Sequence, residues 1–355
     1  GLWNGTGVMT ITNRTVINNN TAQGAAADEG GGGIFNNGGT LTIDGSAGLI
    51  TISNNTATGT SGSGGGIFST DGNVTIADTT ISMNSANRAG GGIEMIEGTA
   101  LLTNVNLISN DVDLATANPG NGGGVHITGA ADFTMDGGSV FGNLAAREGG
   151  GLWNGTGTMT IQNGTLIQGN EAGGDAADDG GGGVFNNAGT LIVDGSTTAV
   201  QITNNVAFGA SGSGGGIFST GGTVTINNAV IDGNSANRAG GGLEIAGGTV
   251  TITDTDLTNN DVDDVAAGTP APGNGGGLHI SGFADVSLVN GEVSGNAAAN
   301  EGGGLWNSNL GILNINGTLI ENNTAVNGGG IYTQGGAPAA VRVTLTNLAP
   351  DGGPT

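Results

Sequence analysis

The chain has 355 residues, no cysteine, 5 basic against 29 acidic residues and a net charge of −24. That composition leaves no disulfide framework, thiol chemistry or cysteine metal site, and its charge repels nucleic acid and anionic membrane surfaces, so both are poor partners. No run of apolar residues reaches the length of a membrane-spanning helix, so this segment predicts no membrane insertion.

Read from the first residue, the chain counts itself off in turns. A glycine pair followed by an apolar residue recurs at Ile34, Ile67, Ile93, Val125, Leu152, Val184, Ile217, Leu243, Leu278, Leu305 and Ile331, and Leu2 follows a single glycine at the chain's start. Between these anchors stands a second mark, apolar-x-x-Asn-x-small. Its asparagines are Asn20, Asn55, Asn84, Asn110, Asn143, Asn170, Asn205, Asn234, Asn260, Asn296 and Asn323. Two fixed marks per 26 to 35 residues are the signature of a solenoid.

Within one coil, residues 64–90, three short strands are predicted. Gly66-Ile67-Phe68-Ser69 follows the glycines, then Asn73-Val74-Thr75-Ile76, then Thr80-Ile81-Ser82. The middle one alternates, with Val74 and Ile76 on one side and Thr75 on the other. Three short strands joined by Gly, Asn and Asp turns match one rung of a parallel β-helix, and 78 glycines would weaken any α-helix. The expected fold is therefore all-β, a single-stranded parallel β-helix of about 12 coils. Stacked asparagines would form an amide ladder that satisfies the bend.

A longer period lies above the coil. Gly1-Leu2-Trp3-Asn4-Gly5-Thr6-Gly7 returns at residues 151–157, and Gly304-Leu305-Trp306-Asn307 begins a third copy. Five coils thus make a super-repeat. The predicted organisation is one continuous β-helix over 1–348, with super-repeats 1–150 and 151–303 and a partial one at 304–348. Residues 349–355 are expected to be a linker or tail. Opening inside a coil, the chain reads as a segment of something longer.

The paired marks resemble the repeats of chlamydial-type polymorphic outer membrane proteins, written Gly-Gly-Ala-aliphatic and Phe-x-x-Asn. Here they stand as Gly-Gly-Gly-Ile-Phe (64–68) and Ile-Ser-Met-Asn (81–84), with Phe141-Gly-Asn143 keeping the aromatic one place off. Thr40-Leu41-Thr42-Ile43 and residues 322–331 are similar to units of bacterial right-handed parallel β-helix repeat proteins. The resemblance implies a right-handed helix, export, and life at the bacterial cell surface or outside it, often as an adhesin or passenger rod. No β-barrel translocator accompanies the repeats in this sequence.

Three columns could carry chemistry. Residues after the anchors put Trp3, Phe35, Phe68, Trp153, Phe185, Phe218, Trp306 and Tyr332 in one file, interrupted by Glu94, His126, Glu244 and His279. Such aromatics could bind sugar faces or pack one rod on another; alternatively they stack on each other and cover the sheet. The Glu/His pairs could suggest acid-base chemistry, but their recurrence with the super-repeat favours a ladder contact. The outward middle-strand column is rich in threonine, as in ice-binding β-helices, with Leu101, Ile192 and Asn314 interrupting it; threonine is also an ordinary solvent-facing strand residue.

Acidic turns offer hard oxygen ligands for Ca²⁺. The best candidates are Asp111 with Asp113, and Asp261 with Asp263 and Asp264, although no EF-hand or nonapeptide spacing is present. Asn-x-Thr sites such as Asn4, Asn13, Asn154, Asn163, Asn316 and Asn322 follow from the composition. A polysaccharide-degrading enzyme needs a non-repeating cluster of base and carboxylates, and none stands out. The sequence favours a non-enzymatic structural or adhesive rod, a secreted surface segment or self-assembling filament. Its expected partners are its own kind, head to tail or laterally, or cell-surface glycans. A carbohydrate-binding adhesin using the aromatic column is the alternative.

Overall fold

The computed structural model describes residues 1–112, 119–262, 272–335 and 342–346. Among them there is no helix, and every strand pairing is parallel, forming sheets of 20, 11 and 10 strands. Each coil pairs with the next along the whole described length. Leu2, Trp3 and Asn4 lie opposite Ile34, Phe35 and Asn36, and at the far end Ile312–Asn316 pairs with Arg342–Thr346. Pairing also runs unbroken where one super-repeat meets the next, at Ile127 opposite Asn154 and Ile280 opposite Asn307.

The partition of sheets differs in one respect from three equal strands per coil. Anchor and middle strands belong to the same large sheet, and in four coils they run on as one strand, as in Ile34–Asp44 and Leu243–Thr253. The 10-stranded sheet comes from two-residue strands after the asparagine mark, such as Thr56–Ala57 and Ser85–Ala86. The small residue there packs inward, because Ala57, Ala86, Val112 and Ala145 form a buried cluster of their own.

Period-two alternation decides what is inside. Leu41 and Ile43, Val74 and Ile76, and Leu191 and Val193 all point into one continuous core, joined by the anchors and by third-strand residues such as Ile52, Ile81 and Val140. Burying each Ile or Leu contributes about 1.5–3 kcal/mol.

The glycines are required by the tightness of the stack. Gly64 has φ +63°, a left-handed conformation that disfavours a side chain. Two residues on, a Cβ on Gly66 would lie 2.6 Å from the carbonyl oxygen of Gly92 in the next coil. The equivalent atom on Gly92 would lie 2.5 Å from that of Gly124.

The bend after the third strand is built the same way each time. The residue before each ladder asparagine is left-handed, as at Asn54 (φ 53°), Met83 (φ 53°), Asn204 (φ 53°) and Gly233 (φ 63°). The bend turns a backbone N–H and a carbonyl inward, away from any strand partner, and the asparagine satisfies both. Asn84 Nδ2 donates to Asn110 Oδ1 at 3.0 Å and to the carbonyl of Ile52 at 3.0 Å, while its backbone N–H donates to the same Asn110 Oδ1 at 3.1 Å. Side-chain bonds of 2.9–3.0 Å continue this chain from Asn20 through Asn55, Asn143, Asn170, Asn205, Asn234, Asn260 and Asn296 to Asn323.

Candidate functional site

The file of residues after the anchors is where the chain concentrates rings and opposite charges. Register places Phe35 on Phe68, Phe68 beside Glu94, Glu94 beside His126, and His126 on Trp153. The second super-repeat repeats the order through Phe185, Phe218, Glu244, His279 and Trp306 to Tyr332. The rings pack on each other: Phe35 and Phe68 edge to face at 5.2 Å, Trp153 and Phe185 parallel at 6.1 Å, and Phe185 and Phe218 edge to face at 5.1 Å.

This column is not an open platform. Phe68, Trp153, Phe185, Phe218 and Trp306 are all buried, so the expectation that their faces could bind sugars is corrected for these five. Turn residues just before their own anchors bond the rings; Trp153 Nε1, for example, donates to Glu148 at 2.9 Å, and Trp306 Nε1 to Glu301 at 3.0 Å. Phe35 and Tyr332 are half-buried, and Trp3 in the first coil is 66% exposed.

The Glu/His pairs sit at the centre of two matching polar clusters. His126 Nδ1 lies 2.8 Å from Glu94 Oε2, and the Thr128 hydroxyl donates to Glu94 Oε1. Arg88 stands 3.4 Å from the same oxygen and donates to Ser63 Oγ at 3.0 Å. In the copy, His279 Nδ1 is 2.7 Å from Glu244 Oε2, Ser281 donates to Oε1 at 2.5 Å, and Arg238 is 4.0 Å away while donating to Ser213 at 3.0 Å. Both imidazoles stack on the tryptophan that opens the next super-repeat, at 4.3 Å and 4.2 Å. Burial pushes the Glu244 carboxyl up, but the charges of His279 and Arg238 and the Ser281 hydroxyl outweigh it and hold the carboxyl below its ordinary range.

The arrangement has the residue types of a hydrolase relay without its wiring. A relay puts the hydroxyl on Nε2 and the carboxylate on Nδ1. Here the hydroxyl donates to the carboxylate, the carboxylate lies at Nδ1, where Thr128 also stands 3.1 Å from His126, and His279 Nε2 is buried with no hydrogen-bond partner. What this geometry does chemically is neutralise buried charge and fix the step between coils.

Among the described residues a further cluster occurs once. Arg147 donates to Asp179 at 2.6 Å and lies 3.8 Å from Glu148, which also accepts from Asn121 at 2.8 Å. Burial pushes the Glu148 carboxyl up to about 7; the Trp153 N–H and Arg147 oppose the rise, and Asp179 adds to it. In the next super-repeat Asn300 replaces Arg147, and Asn274 faces Glu301.

Sequence reading missed a second polar column, two places after the anchors. Asn4 donates to Asn36 at 2.7 Å and Asn36 to Ser69 at 3.0 Å; Asn154 donates to Asn186 at 2.7 Å and Asn186 to Ser219 at 3.1 Å. The signal was present in Leu-Trp-Asn, Val-Phe-Asn and Ile-Phe-Ser, but those positions follow large rings and read as part of the strand. Arg88 and Arg238 were visible as repeats, while their approach to the Glu/His pairs depended on the fold of the turn.

For calcium, Asp113, Asp263 and Asp264 lie outside the described residues. Asp111 and Asp261 stand in the two-residue strands, opposite Leu144 and Ala297. Among the described residues no group of three or more His, Asp or Glu side chains is placed to hold a metal ion. An open groove of about 460 Å³ beside residues 45–49 is lined by Ser46, Asp78, Asn104 and Asn106, with one carboxylate and no histidine.

The stacked ladders and parallel pairing define a parallel β-helix repeat protein. Two of its segments are similar to a known repeat: the model of the Chlamydia polymorphic membrane protein repeat matches residues 49–70 and 317–334. Each match runs from a third strand through a ladder asparagine (Asn55, Asn323) to an anchor (Ile67, Ile331), so it falls on the bend and glycine turn described above. No curated protein and no solved structure matches the chain.

Proposed function

We propose that this chain is the rod of a surface-exposed, passenger-type protein, serving as a structural or adhesive spacer and not as an enzyme. The observation that carries the reading is the use of the buried polar and aromatic files in coil-to-coil bonding: the Asn20–Asn323 ladder, the Glu94/His126 and Glu244/His279 pairs, and the aromatic file. Polymorphic membrane protein repeats support the surface placement and a non-catalytic role. Twelve coils at about 4.8 Å give a rod of roughly 55 Å, which holds whatever it carries away from its anchor.

Its partners would be further copies of itself or cell-surface glycans, with Ca²⁺ bridging acidic turns. Surface proteolysis of intact cells, followed by blotting, tests the placement: protection of the chain until the cells are lysed would overturn it. Electron microscopy with and without a calcium chelator separates the finer roles. Filaments that shorten on chelation support a calcium-linked polymer, and isolated rods under both conditions sink the self-assembly reading.

A further inference from the structure

The outward face of the middle strands carries two threonine ranks side by side over four consecutive coils. Thr158, Thr190, Thr223 and Thr249 stand opposite one another in the first rank. Two residues along each strand, Thr160, Ile192, Thr225 and Thr251 form the second. Seven of these eight positions are threonine, none is charged, and none of the seven hydroxyls makes a side-chain hydrogen bond to the described residues. Between the ranks Met159, Leu191, Val224 and Val250 point into the core and hold the strands to it.

Strand propensity does not account for this array. It acts equally on the 11-stranded sheet, where the residues flanking the core-facing centre of each strand over the same coils are Leu166/Gln168, Gln201 with the buried Thr203, Val230/Asp232 and Asp256/Thr258. There two positions are threonine and two are aspartate, and Thr258 donates to Asp232 at 2.7 Å. On a chain of net charge −24, an uncharged, repeating patch of methyl and hydroxyl groups is a local exception.

A rigid lattice of this kind holds water at fixed intervals, about 4.8 Å from coil to coil and about 6.7 Å between ranks. Both intervals are close to the spacings of oxygen rows in hexagonal ice. Charges would bind their own hydration shells out of register with such rows; methyl groups and free hydroxyls do not. We propose that the threonine array over residues 158–251 is an ice-binding face, whose ordered hydration water merges with the surface of an ice crystal. This is separate from the passenger reading, which cell-surface proteolysis tests on its own.

The test is ice-affinity partition of the full chain: slow growth of ice on a cooled probe, followed by assay of protein in the ice and in the liquid. The expected result is enrichment of the wild type in the ice. Thr225→Tyr with Thr251→Tyr, and separately Thr225→Lys with Thr251→Lys, should lose it and fall to the level of an excluded control protein. Gln201→Tyr on the other sheet should retain it, with circular dichroism confirming the β-helix in each variant. Exclusion of the wild type from ice, or retention of both double variants, overturns the proposal. Exclusion from ice combined with threonine-dependent binding to crystalline polysaccharide overturns it too and reassigns the face.

Discussion

His126 sits on the coil after Glu94 with Nδ1 2.8 Å from its carboxylate, and His279 repeats the contact on Glu244 at 2.7 Å. Each histidine also stacks on the tryptophan that opens the next super-repeat. The pair therefore joins the end of one five-coil block to the start of another.

Removing one partner exposes how much the pair matters. His279→Ala leaves the Glu244 carboxylate buried with Arg238 4.0 Å away as its nearest opposite charge, and the expected loss is about 3–5 kcal/mol. The urea midpoint at neutral pH reads it. A loss below about 1 kcal/mol would place the pair with surface ion pairs. Because the Glu244 carboxyl is held below its ordinary range, its contribution is present above the unfolded value and fades as pH falls through the folded one.

Glu148 has the opposite sign. Its carboxyl is raised to about 7 from 4.5, so its contribution is full below pH 4.5 and is lost as pH rises toward 7. That change corresponds to about 3 kcal/mol. Glu148→Gln should flatten this fall, and unfolding midpoints at pH 5 and pH 8 would differ less in the variant than in the wild type. Equal pH dependence in both would show that Glu148 ionises normally.

The asparagine ladder predicts a gradient of cost. Asn143 is fully buried and its side chain bonds Asn170 and the carbonyl of Leu107 while accepting from Asn110. Asn143→Ala should cost about 2–4 kcal/mol, since it strands buried donors and acceptors. Asn20→Ala, at the part-exposed end of the same ladder, should cost less, and parallel urea titrations of the two variants compare them.

Met83 holds a left-handed backbone conformation, φ 53°, while its side chain is 56% exposed. Ten other coils put Asn, Gly or Ser at this place. Met83→Gly should therefore stabilise by about 0.5–1 kcal/mol, because it relieves strain and sacrifices little packing. A destabilised variant in thermal unfolding would mean that the methionine packs in a way its exposure does not suggest.

The sequence by itself determined the coil. Its two marks answer to backbone geometry: the anchor glycines stand where an added Cβ would come within about 2.6 Å of the next coil's carbonyl oxygen, and asparagine where a bend leaves an N–H and a carbonyl inward, so their spacing set the period and register. The alternation of Val74, Thr75 and Ile76 likewise announced inside and outside. Tertiary structure alone decided what the columns meant. Whether Trp153 is a platform or a buried rung depends on Glu148 closing over it, and whether Glu94 is a base or a lock depends on where Arg88 and Thr128 arrive. The rank of Thr158, Thr190 and Thr223, beside the threonine column the sequence shows, became visible only when stacking set these residues opposite one another. Periodicity fixes which residues share a file; the turns, whose lengths differ from coil to coil, fix which files are covered and which face water.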